Sequence, residues 1–158
     1  MSRLTLLSCS ILLLSAMAGC SMFAPPPEDL DVRMTRPSEH QAYIVSMRPM
    51  RQQVPINELH SWEILVTSAA GVPVPHARIA FDGGMPQHHH GFPTSPRVTG
   101  ELGDGRYRLD GMKFSMSGWW EMKLTIDSAI GADKVTFNTV IATPAAPVAA
   151  PVAVAIAR

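Results

Sequence analysis

The sequence predicts an all-β chain, an immunoglobulin-like β-sandwich of about seven strands. Three observations carry that expectation. Short alternating apolar runs recur through the middle of the chain. Gly or Pro stands at nearly every joint between them. No stretch beyond Cys20 holds a 3.6-residue apolar period.

Ahead of the strands lies a different kind of segment. Arg3 supplies a positive charge, Leu4 to Leu14 is an apolar run, and Ser15-Ala-Met-Ala-Gly19 are small residues leading to Cys20. A charged start, a short apolar stretch and a small-residue cleavage site make a secretory signal, too short for a permanent membrane span. Met17-Ala18-Gly19-Cys20 resembles the bacterial lipobox, in which the cysteine is acylated and becomes the first residue of the mature chain. Residue 21 is Ser rather than Asp, which by analogy with sorted lipoproteins favours the periplasmic face of the outer membrane. Residues 1–19 are therefore read as a lipoprotein signal peptide. Residues 20–33 are read as the lipidated Cys20 and a tether, in which Pro25-Pro26-Pro27 favours an extended chain. About ten such residues at ~3.1 Å each span roughly 30 Å.

The strands follow. Gln41–Val45 is the first and Ser61–Thr67 the second. Ala77–Phe81 alternates, Arg97–Glu101 is short, and Arg106–Leu109 alternates after the turn Asp104-Gly105. Trp119–Ile126 is the longest clean alternation, with Trp120, Met122, Leu124 and Ile126 on one side. Val135–Ile141 closes the series. The sandwich domain is thus residues 34–142. Beyond it, residues 143–158 are almost entirely Ala, Pro and Val, and read as a disordered low-complexity tail.

Composition excludes several functions. Acids and bases balance at thirteen each, and loss of Arg3 with the signal leaves a single excess acid. No basic block points to nucleic acid. Cys9 is lost with the signal and Cys20 carries lipid, so the domain holds no thiol for a disulfide or a metal. It has no Ser-His-Asp order and no paired-carboxylate signature, so catalysis is not expected.

The segment that stands out is Gly83-Gly-Met85-Pro-Gln-His88-His89-His90-Gly-Phe92-Pro93, which concentrates half of the chain's six histidines. In an extended chain His88 and His90 point to one side and His89 to the other. Strand parity adds partners. If successive strands run antiparallel, the loop after the third strand, the joint Gly111–Gly118 after the fifth, and the start of the second all fall at one end. That groups His60, Met85, His88, His90, Met112 and Met116, with His40 and His76 at the opposite end. Imidazole with thioether is a soft ligand set, suited to copper and to Cu(I) in particular; Mg and Ca want oxygen. Met112 filling a core gap, His60 as a framework residue and the triple-His loop as plain surface are the competing readings.

The residues also resemble a known family. Met85-Pro-Gln-His-His-His-Gly-Phe-Pro-Thr94, Gly103-Asp-Gly-Arg-Tyr107, Gly111-Met-Lys-Phe-Ser-Met116-Ser-Gly-Trp-Trp-Glu121, His60-Ser-Trp62 and Gly71-Val-Pro-Val-Pro75 resemble the YtkA-like domain family, related to FixH-like proteins, over about residues 57–128. The chain departs from the family pattern at His89 and Phe92, where members carry smaller or Met-like residues. The resemblance implies a small envelope β-sandwich associated with copper handling and respiratory-oxidase assembly. Met85, His88, His90 and Met116 are the matching motif positions, followed by His60. The expectation is a copper-binding, lipid-anchored carrier whose partners are the membrane and copper-acceptor or oxidase-assembly proteins. A metal-free envelope scaffold is the alternative.

Overall fold

The computed structural model describes residues 25–143. The signal peptide, Cys20 and nearly all of the Ala/Pro/Val tail lie outside the described residues.

Nine strands build two sheets: β1 Thr35–Pro37, β2 Tyr43–Pro49, β3 His60–Ser68, β4 Arg78–Met85, β5 His90–Gly91, β6 Arg97–Gly103, β7 Arg106–Met112, β8 Gly118–Ser128 and β9 Gly131–Ile141. One sheet runs β1-β2-β3-β7-β6 and the other β5-β4-β8-β9, and every pairing within them is antiparallel. Seven of these are the strands the sequence predicts. Taken as A to G in chain order, they pair A-B-E-D and C-F-G, the constant-type immunoglobulin arrangement. The two additions are β1 and β5. Each has three residues or fewer, too few to show a period of two.

Alternation drives the packing. Trp120, Met122, Leu124 and Ile126 turn inward from β8 and meet Tyr43, Val45, Trp62, Ile64, Val66 and Leu109 from the facing sheet. With no cysteine among the described residues, this apolar layer carries the domain. Between His60 and Trp62 the β3–β7 register slips: His60 faces Met112 while Trp62 faces Leu109. The extra β7 residue is a bulge, and it turns Met112 fully inward.

The far end of the sandwich is fixed by a buried carboxylate. Asp133 accepts from the amides of His40, Ala42 and Lys134 and pairs with His40 Nδ1 at 3.0 Å. Burial pushes its pKa up, but hydrogen bonds from Ser38, Lys134 and His40 outweigh burial and hold it well below the usual carboxylate range. A lowered carboxylate pKa adds stability that is present above the unfolded value of about 3.9 and lost as pH falls through the folded value. Asp133→Asn is expected to lower stability at neutral pH and to flatten its fall between roughly pH 5 and pH 2. Thermal unfolding across that range is the check.

The segment before β1 departs from the extended tether. Residues 25–33 fold back along the second sheet instead. The Leu30 amide bonds the Pro27 carbonyl to close a turn, Asn138 Nδ2 donates to the Asp31 carbonyl at 3.2 Å, and Arg36 reaches the Asp31 carboxylate at 3.4 Å. Three prolines favour extension only until side-chain donors on the domain, such as Asn138 on β9, outbid solvent for the backbone carbonyls.

Candidate functional site

The His-rich loop is a tight return, not the extended segment expected. β4 ends in Gly83-Gly84-Met85, Pro86–His88 makes one 3₁₀ turn, and His89 takes the left-handed conformation (φ 53°, ψ 36°). Pro86 fixes the start of the turn because its missing N–H costs nothing there. The chain then comes back as β5, with His90 opposite Met85 and Gly91 opposite Gly84. Gly84 permits the closure, since a Cβ there would overlap the His90 carbonyl.

His88 and His90 still converge, by the turn rather than by alternation. Their rings stack with centroids 5.9 Å apart and 27° between planes. His90 Nδ1 donates to the Gly91 carbonyl at 2.9 Å, which leaves Nε2 as the free lone pair. His89 and His90 are exposed to solvent and His88 is partly exposed.

Beneath them lies an apolar floor. Met85, the cross-strand partner of His90, is buried, and its methyl group is so near Gly118 that a Cβ there would come within 2.9 Å of it. Trp120 is fully buried; the His90 ring stands edge-on to it at 5.8 Å, and Phe92 packs against it at 4.8 Å. Trp120 Nε1 donates to the Met116 carbonyl, which ties the Met116 segment to the same floor and leaves its side chain 42 % exposed. Sequence reasoning missed this aromatic layer. Phe92 was read only as a missing thioether, and its inward alternation with Phe114 and Trp120 emerges only once the two sheets face each other.

His60 and Met112 lie at the same end but behind that layer. Contact from His60 to His90 runs through Phe114 and Trp120, with centroid steps of 5.5, 5.3 and 5.8 Å. His60 is buried, donates through Nδ1 to the Glu58 carbonyl, and keeps a buried Nε2 with no protein partner. Burial pulls its pKa below the ordinary imidazole value, against the Glu58 carbonyl, so it is neutral at pH 7. Because the unfolded chain binds that proton more readily, stability falls as pH drops from about 6.5 through the folded value. His60→Leu is expected to remove this slope, read as melting temperatures at about pH 7.5 and pH 5.

His40 and His76 are at the opposite end, on Asp133 and Glu101. Among the described residues no three His, Cys, Asp or Glu side chains cluster tightly enough to hold a metal.

Comparison with known proteins fixes the family. A family model described as YtkA-like matches residues 39–125, from the turn before β2 through most of β8. The chain belongs to the YtkA-like family. The match takes in the His88/His90 turn, Met85, Met116 and the aromatic floor, together with His40 and His76 at the opposite end. No curated protein matches the chain. Among solved structures, the ZirS C-terminal domain is similar at 12 % identity and a TM-score of 0.39, covering 86 % of this chain and 95 % of that one.

Proposed function

We propose that this YtkA-like protein is a copper-binding lipoprotein of the cell envelope, a carrier or buffer rather than an enzyme. His88 and His90 anchor the ion, and Met85 and Met116 supply thioether. The observation that carries the reading is the stacked imidazole pair over Met85 at a solvent-exposed tip. One imidazole keeps its Nε2 free, Met85 is the residue paired with His90 across the strands, and Trp120 and Phe92 pack beneath. Imidazole with thioether favours Cu(I) over harder ions. Exposure suits a cargo that must be handed on, because an acceptor has to reach it. Acylation of Cys20 keeps the carrier at a membrane, on the periplasmic face of the outer membrane by the rule at residue 21. Copper acceptors, including factors that assemble respiratory oxidases, are the partners this implies.

The test is a competitive titration of Cu(I), and then Cu(II), into the chain from Ser21 onward. One equivalent is expected to bind, and the double change His88→Ala, His90→Ala is expected to remove most of the affinity. Unchanged affinity in the double variant overturns the site. A chain that takes up no copper, yet retains a protein partner in chelated extracts, is the scaffold of the alternative reading.

A further inference from the structure

The tether does not leave the domain at a neutral point. Gln87 Nε2, inside the 3₁₀ turn of the His loop, donates to the Pro25 carbonyl at 2.8 Å. The turn at Pro27–Leu30 and the bonds from Asn138 and Arg36 to Asp31 hold the intervening chain against the second sheet. Pro25 is therefore pinned beside His88 and His90. Only four residues, Ser21 to Ala24, separate it from Cys20. At ~3.3–3.6 Å per residue the five steps from Cys20 to Pro25 reach at most about 18 Å.

The domain is longer than that reach. β8 and β9 each have 11 residues, about 37 Å at ~3.4 Å per residue. With Pro25 at the His loop, an acyl chain on Cys20 brings that end to the bilayer and leaves the opposite end well above it. The surface agrees. Met50, Leu59, Met116 and Val140 are 45 %, 65 %, 42 % and 47 % exposed, and all four lie at or beside this end. Glu58 is paired with Arg51 and Glu121 with Lys123, while the exposed Glu28, Asp29 and Asp82 have no ion-pair partner among the described residues, so the contact expected at this end is apolar and not electrostatic. Val72 and Ile130 are equally exposed at the far end; apolar exposure alone does not choose between the ends, and the tether does.

We infer that the sandwich sits with its His/Met end facing the lipid surface, the apolar rim of Leu59 and Met116 in contact with headgroups. This rests on the reading of Cys20 as the lipid anchor and is independent of copper.

The full lipidated chain, reconstituted in phosphatidylethanolamine–phosphatidylglycerol vesicles doped with a shallow spin-labelled lipid, tests this. The mature domain has no other thiol, so Leu59→Cys, Met116→Cys, Val72→Cys and Ile130→Cys each take one fluorophore. Labels at 59 and 116 are expected to lose most of their emission, and those at 72 and 130 to keep it. Gln87→Ala is expected to shrink the contrast by releasing Pro25. Equal quenching at both ends, or the reverse ranking, overturns the orientation while an acylated Cys20 leaves the anchor standing. A chain whose mass shows no acyl group, and which stays in the supernatant, overturns anchor and orientation together. Labels at 59 and 116 that become quenched only after removal of residues 144–158 assign the rim to the tail and also overturn the inference.

Discussion

Trp120→Ala is expected to destabilise the domain by about 3–5 kcal/mol, the range for removing a fully buried large aromatic. Trp120 is completely buried in β8 and touches Phe92, Phe114 and His90. Its deletion leaves a cavity under the His loop and frees the Met116 carbonyl from its only indole donor. For a domain of about 110 residues the melting temperature should fall by more than about 10 °C. Trp120→Phe keeps a ring and should lose less. Calorimetry of both variants orders them. A loss no larger than that of an exposed position such as Leu59→Ala would contradict the packing described.

Gly84→Ala is expected to injure the site more than the fold. The added methyl group meets the backbone of His90 and Gly91, not a flexible side-chain end, so β5 must move away from β4. Overpacking of this kind costs about 1–3 kcal/mol. The seven long strands do not depend on β5, and the far-side ion pair at Asp133 is untouched. His88 and His90 lose their spacing, and copper affinity should fall about 10–100-fold, as when a ligand's supporting contacts are removed. Gly100, where a Cβ meets nothing, provides the control: Gly100→Ala should change neither quantity. The two readouts, unfolding and titration, separate loss of geometry from loss of fold.

How much of this was legible in the sequence follows from what each feature depends on. The long strands were readable because β8 alternates cleanly from Trp120 to Ile126 and turn residues bound its neighbours. Strand parity alone was enough to gather His60, Met85, His88, His90, Met112 and Met116 at one end. Depth within that end was not readable. Whether His60 reaches the surface depends on Phe114 and Trp120 from other strands, and whether Met112 turns inward depends on a one-residue slip in β7. The conformation of the His loop was misjudged because Pro86 and a left-handed His89 set a tight turn, which alternation cannot anticipate. The fold-back of the tether escaped for a similar reason. Its partners, Gln87 and Asn138, lie 62 and 107 residues away in sequence, and nothing local to Pro25-Pro26-Pro27 announces them.

We propose that His88 and His90, with thioether from Met85 or Met116, hold copper at the tip of the sandwich. The most direct measurement is the copper X-ray absorption spectrum of the chain loaded with one equivalent of Cu(I). Imidazole scattering is expected together with a sulfur neighbour, the imidazole part disappearing in the His88→Ala, His90→Ala variant. An oxygen-only shell, or a spectrum that the double change leaves as it was, contradicts it.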